Sequence, residues 1–120
     1  MTMTDPITNA ARATAERLAD EYGPGLDADV EAALHARGTA ERPGQYLDPL
    51  SLGSLIVAIA TLAWTIYTDL RKKTPQPSPD VVTRQVRVEL RKQGGAKQQE
   101  ADRIAEIVVT EISNAAQDAR

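Results

Sequence analysis

The chain has 120 residues, and its 14 Lys and Arg against 17 Asp and Glu leave a formal net charge of −3. It contains no cysteine, which excludes disulfides, zinc–thiolate sites, iron–sulfur clusters and thiol nucleophiles. Apolar residues make up 42% of the chain but aromatic residues only 3%, so a core must consist mainly of Ala, Val, Ile and Leu. A chain of this length forms one small domain, or a short membrane protein with two modest flanks.

Charge is distributed unevenly along the sequence. Residues 1–48 carry four Arg and nine acidic residues, residues 49–68 carry no charge, and residues 69–120 carry ten Lys and Arg against eight acidic residues. The acidic overall balance, without stacking aromatic residues beside the basic ones, argues against nucleic acid as a partner. The first residues lack the basic start and apolar run of a secretory signal, so we expect the internal segment to direct any membrane insertion.

Residues 1–48 form an acidic N-terminal segment with the pattern of two helices. Asp5-Pro6 is a typical helix start, with an N-cap and a proline at the first helical position. Apolar residues then recur every three or four positions, and Gly23-Pro24-Gly25 ends the helix. A second, shorter pattern runs from Leu26 to Gly38. Both apolar faces are narrow and rich in alanine, so we expect this helical pair to be marginally stable alone.

Residues 49–73 form a long apolar helix according to the same signals. Asp48-Pro49 repeats the N-cap and the proline at the first helical position, and the twenty residues from Pro49 to Thr68 are all uncharged. At about 1.5 Å per residue they span roughly 30 Å, the thickness of the hydrocarbon core of a bilayer. Aromatic and basic residues at the two ends are typical of membrane interfaces. We expect a single membrane-spanning helix with these interfacial anchors: Tyr46, Trp64, Tyr67, Arg71, Lys72 and Lys73.

The alternative is a central helix buried in a soluble helical bundle. Other helices would have to bury this helix both on a ridge that includes Ile59 and on the opposite flank, which includes Trp64. The apolar faces of the remaining helices, however, are narrow. The Pro-rich spacer 74–79 is expected to hold the C-terminal region away from it. The basic residues after the helix also have a simpler role, as favourable charges at a helix C-terminus.

A stripe of small and hydroxylated residues runs along this helix at spacings of three and four. In lipid such a stripe permits close helix approach and interhelical hydrogen bonds, which predicts self-association or contact with another membrane helix. The alternative is that the hydroxyls bond back to carbonyls of their own helix. The predicted interface consists of Ser51, Ser54, Ala58, Thr61, Thr65 and Thr68.

Residues 80–120 are predicted to form an amphipathic helical hairpin. Ser78-Pro79-Asp80 opens a helix to about Gln93, and an amphipathic helix follows over about 97–117. An alternation of apolar and charged residues within 86–91 also fits a strand, but the start and the Gly94-Gly95 stop favour a helix. One side of the first helix is basic and is expected to bind anionic lipid or an acidic protein, or simply to be solvated. This basic face consists of Arg84, Arg87, Arg91 and Lys92.

The residue pattern gives little support for catalysis or metal binding. His35 is the single histidine, which excludes a Ser-His-Asp set and a multi-histidine metal site. The acidic groups around Asp20-Glu21 and Asp27 lack the pattern of a calcium loop and are expected to form a solvated surface. We therefore expect no catalytic residue, no cofactor and no metal.

These patterns together predict an all-α protein: a long central membrane helix between a short N-terminal helical pair and a C-terminal hairpin. More basic residues follow the central helix than precede it, which places the C-terminal region in the cytoplasm. We expect a non-enzymatic, single-pass protein of the cell membrane that anchors a helical interaction module for a cytosolic protein and self-associates through its span. A small pore-forming or membrane-perturbing protein, and a soluble helical adaptor, remain alternatives.

Overall fold

The computed structural model describes residues 6–39, 52–93 and 98–118. The described residues form five helices and no strand, which confirms the all-α prediction. The helices are α1 (Pro6–Tyr22), α2 (Gly25–Thr39), α3 (Leu52–Arg71), α4 (Pro79–Gln93) and α5 (Gln98–Asp118). Asp5, Asp48-Pro49 and Gly94-Gly95, which carry three of the predicted helix boundaries, lie outside the described residues.

The link between α1 and α2 shows how a local signal ends a helix. Gly23 has a φ of 93° and donates its amide to the carbonyl of Ala19 at 2.8 Å. This left-handed residue closes the last turn of α1, a conformation that glycine adopts without steric cost. The carbonyl of Gly23 then accepts the amide of Leu26 at 3.3 Å, and α2 starts at once.

Helix α3 packs against all four other helices, which together form the bundle around it. Each helix contributes one apolar side, as the spacing of apolar residues predicted. The core is aliphatic: α1 provides Leu18 and three alanines, α4 provides Val82 and Val86, and α5 provides a continuous arc that includes Ile104 and Ile112. Buried alanines allow the helices of a small bundle to approach closely.

The expectation that the spacer holds the C-terminal region away from the central helix is wrong. Both α4 and α5 pack against α3. After α3, the amides of Lys73 and Thr74 donate to the carbonyl of Leu70 at 3.0 and 2.8 Å, which turns the chain immediately. Pro77 is itself buried, so the spacer lies against the bundle and brings α4 back onto α3.

The narrow faces of the other helices nevertheless cover much of α3. Its ridge at Ile59 and Ile66 is buried, and so is the opposite flank at Val57, Ala60 and Tyr67. The most apolar 18-residue window of the helix is 39% buried. Four neighbouring helices, rather than one wide partner, therefore bury part of a helix that has no charge before Asp69.

Candidate functional site

Helix α3 is, by length and composition, the one candidate membrane span among the described residues. The core helix of a soluble protein meets the same two conditions. The inner sides of α3 are buried in the bundle, and only one narrow side is exposed.

That exposed side carries the predicted small-residue stripe. Thr65 is exposed, Ser54, Ala58, Thr61 and Thr68 are half-buried, and Ser51 lies outside the described residues. The hydroxyls of Thr61, Thr65 and Thr68 donate to main-chain carbonyls one turn earlier, at 2.9 to 3.0 Å. We call Ser54, Ala58, Thr61, Thr65 and Thr68 the α3 outer face. Within this single chain, it faces away from the core.

The predicted interfacial anchors have different environments. Trp64 is half-buried beside the outer face, whereas Tyr67 is buried, and their rings stack with centroids 5.7 Å apart. The basic residues Arg71, Lys72 and Lys73 are exposed at the C-terminal end of α3. Lys72 has one weak ion pair, 3.8 Å from Asp69. Tyr46 lies outside the described residues, so its separation from Tyr67 stays a prediction.

The basic face of α4 is partly paired with acidic residues of α5. Arg87 donates to the main-chain carbonyl of Asp102 at 3.3 Å and lies 3.6 Å from the carboxylate of Glu106. Arg91 lies 3.8 Å from the carboxylate of Asp102. Lys92 bonds locally to Glu89 at 3.4 Å. Arg84 is exposed and makes no ion pair within the described part of the chain.

Two exposed valines on α4 were missed by the sequence analysis. Val81 is 38% exposed and Val88 is 46% exposed, the largest exposed aliphatic side chains of the described residues. A signal was present, because Val88 does not fit the helical spacing of Val82, Val86 and Leu90 and created the apparent strand alternation. Val81, Arg84, Val88 and Arg91 share one side of α4 at spacings of three and four, and we call them the α4 outer strip. A shallow groove between α4 and α5 borders this strip, and Asp80 and Glu106 contribute to its walls.

The acidic residues of the N-terminal segment do more than form a solvated surface. Arg12 donates to both carboxylate oxygens of Glu31 at 2.7 and 3.1 Å, and Arg103 of α5 donates to both oxygens of Glu21. These hydrogen bonds lower the pKa of Glu21 and of Glu31 below the usual glutamate range. Arg17 adds a 2.7 Å contact with Glu111. The ion pairs therefore tie α1 to α2 and to α5.

Asp29 links α2 to the start of α3. Its carboxylate accepts the amide of Gly53 at 2.8 Å, which satisfies one of the amides that an α-helix leaves without an internal partner. The two backbones are so close here that a Cβ on Gly53 would lie 2.5 Å from the carbonyl carbon of Asp29. Gly53 is therefore required by packing, which its position inside an apolar run did not reveal.

The described residues contain no group of three His, Asp or Glu side chains placed to hold a metal ion. His35 is exposed near the end of α2. No protein-family model, curated protein or solved structure matches this chain.

Proposed function

We propose that this chain is a non-enzymatic helical adaptor whose α4 outer strip binds an acidic, amphipathic segment of a protein partner. The observation that carries the proposal is the combination of exposed valines with arginines on one side of a helix whose opposite side is fully anchored. Val82 and Val86 are completely buried, so the orientation of α4 is fixed and the strip is presented rigidly.

The chemistry of the strip supports a protein partner with negative charge. Val81 and Val88 offer apolar contact two turns apart, and Arg84 lies between them without an ion pair among the described residues. A partner helix that places apolar residues at spacings of three, four and seven would contact both valines. Acidic residues beside those apolar positions would meet Arg84 and Arg91, which gives orientation and speeds association.

Site-specific photocrosslinking in the native cells tests this proposal. A photoreactive residue at Val88 is expected to yield one adduct of defined mass, and Arg84→Glu in the same chain is expected to abolish it. The matched control carries the photoreactive residue at Ala32, an exposed position on α2. The proposal fails if both positions yield the same adducts, or if Arg84→Glu leaves the Val88 adduct unchanged in a protein with wild-type circular dichroism.

A second candidate is a single-pass protein of the cell membrane, with the C-terminal region in the cytoplasm. It is favoured by the length of α3, roughly 30 Å, and by the exposed cluster Arg71, Lys72 and Lys73 directly after it. In this arrangement α3 leaves the bundle, and the small residues of its outer face contact a second copy or another membrane helix. A water path along the hydroxyls would make the oligomer a pore.

Cell fractionation separates the two candidates. The adaptor is expected in the soluble fraction, or in a membrane fraction that alkaline carbonate strips. A single-pass protein resists carbonate and needs detergent, and protease added to intact cells would cleave its N-terminal region only. Leakage of a small dye from liposomes containing the protein would identify the pore, and its absence at high protein density would argue against one.

A further inference from the structure

The outer face of α3 is an unusual surface for a chain so rich in charge. Charged residues make up 26% of the sequence, yet none lies between Leu52 and Thr68. The exposed side of α1, by contrast, carries Arg12, Glu16, Arg17, Asp20 and Glu21. A helix side that faces water is normally charged or strongly polar. Over about 21 Å, the α3 outer face offers only small groups and hydroxyls.

The hydroxyls of this face do not depend on water. Those of Thr61, Thr65 and Thr68 donate to carbonyls of α3 itself. Removing water from a hydroxyl is costly when the group loses its hydrogen bond, and these groups would keep theirs. The face can therefore be dehydrated at low cost. Trp64, half-buried at its edge, has the amphipathic ring typical of the bilayer interface.

The charged residues at one end of the α3 outer face indicate which kind of surface this face contacts. Arg71, Lys72 and Lys73 are consecutive and exposed where α3 ends, and Asp69 offsets one of them. Neither Arg71 nor Lys73 makes an ion pair with the residues that the structure describes. An uncharged helix side that ends in a basic cluster is complementary to an anionic bilayer surface, which offers apolar depth and negative headgroups together.

We infer that the folded bundle docks on an anionic membrane surface through the α3 outer face, with α3 lying along the membrane plane rather than across it. The basic cluster contacts the headgroups and Trp64 enters the interface. This inference depends on the bundle that the adaptor proposal assumes, but it does not depend on the α4 outer strip. The strip is left free to bind a protein partner.

Vesicle binding by the purified full chain tests the inference. Each basic residue near an anionic surface contributes about fivefold, so Lys72→Gln with Lys73→Gln is expected to weaken binding about 30-fold. Wild-type protein is expected to sediment with vesicles of phosphatidylcholine and phosphatidylserine, but far less with phosphatidylcholine alone. The fluorescence of Trp64, the single tryptophan, is expected to shift to the blue on binding. High salt should release the bound protein.

The α5 helix offers a matched control for the face itself. Thr65 and Thr110 are both exposed, and both donate to a carbonyl four residues earlier. Thr65→Asp is expected to abolish vesicle binding, and Thr110→Asp to leave it unchanged.

Four results would overturn the inference. The first two are absence of binding by a folded wild-type chain, and equal loss with Thr65→Asp and Thr110→Asp. The third is a salt-resistant complex that only detergent dissolves, which would indicate a transverse span. The fourth is a concentration-dependent dimer that Thr65→Asp dissociates without any vesicle binding, which would make the face a contact between copies. A retained Val88 crosslink would leave the adaptor proposal intact in every case except the third, because a transverse α3 leaves the bundle that the adaptor requires.

Discussion

The contact between Gly53 and Asp29 provides a stability experiment whose sign distinguishes the bundle from an isolated α3. In Gly53→Ala the new Cβ would meet the main-chain carbonyl carbon of Asp29 at 2.5 Å and its carbonyl oxygen at 2.7 Å. Backbone atoms cannot rotate away as a flexible side chain can, so α2 and α3 must move apart. That movement also stretches the 2.8 Å hydrogen bond from the Gly53 amide to the Asp29 carboxylate.

The expected magnitude follows from three contributions. Overpacking typically costs about 1–3 kcal/mol, and a weakened hydrogen bond to a carboxylate costs roughly 1.5–3 kcal/mol. Alanine is favoured over glycine within a helix by about 1 kcal/mol, which opposes both. We expect Gly53→Ala to lower the free energy of unfolding by about 1.5–5 kcal/mol, or the melting temperature by roughly 5–20 °C at this chain length.

Thermal and urea unfolding of the full chain, followed by far-UV circular dichroism, measures this change. Gly25→Ala is the matched control, because Gly25 is also helical and nothing lies within 4 Å of its added Cβ. It should be neutral or slightly stabilising. If Gly53→Ala were as stabilising as Gly25→Ala, α2 would not lie against α3, and the bundle itself would be refuted.

Three further stability changes follow from the structure. Ile59→Ala is expected to cost about 2–5 kcal/mol, because Ile59 is completely buried and the helices around α3 can close only part of the cavity. Thr14→Val is expected to stabilise by about 1 kcal/mol in urea unfolding, because the buried Thr14 hydroxyl has no hydrogen-bond partner among the described residues, whereas Thr14→Ser keeps that hydroxyl and should destabilise. The pKa of Glu21 is lowered in the folded state by Arg103, so its contribution is present above the unfolded pKa, about 4.3, and is lost as pH falls through the lower folded value. The melting temperature should therefore fall as the pH is lowered from about 5 to about 3. Glu21→Gln should flatten this pH dependence, and an unchanged slope would contradict a stabilising role of the Glu21–Arg103 pair.

Local signals were enough to predict the helices. The Pro79 start of α4 coincides with the predicted one, and the two predicted N-terminal helices are present. The ambiguous stretch 86–91 is helical because Val82, Val86 and Leu90 together reach the core. A strand would have buried Val88, whereas the helix exposes it. The spacing of apolar residues was therefore informative, although residues 86–91 alone could not distinguish the period of a helix from that of a strand.

Contacts between distant residues were not predictable from such patterns. Arg103 and Glu21 are separated by 82 positions, and the Gly53 amide and Asp29 by 24. Nothing in the local spacing of an acidic residue specifies which basic residue it will pair with in the folded chain. The acidic groups of α1 and α2 therefore looked like a solvated surface, although several of them join helices.

The environment of α3 was ambiguous for a different reason. A stripe of Ser, Thr and Ala allows close packing between helices in lipid, and it is also tolerated at a protein surface that faces water. The sequence places these residues on one side of the helix but does not define the medium that either side faces. The sequence did not reveal that Val57 and Ala60 on one flank, and Ile59 on the other, would all be buried against neighbouring helices.

The free-energy balance between bundle and span depends less on α3 than on the helices that it would leave. Ile56 and Ile59 are already out of water, so transfer of α3 into lipid gains little at these positions. The gain is confined to half-buried side chains such as Leu55 and Leu62, while the inner faces of the other four helices would be re-exposed. A transverse α3 therefore requires a partner that covers those faces. The docking that we infer requires none, because the side of α3 that would meet the membrane is the side that the bundle leaves open.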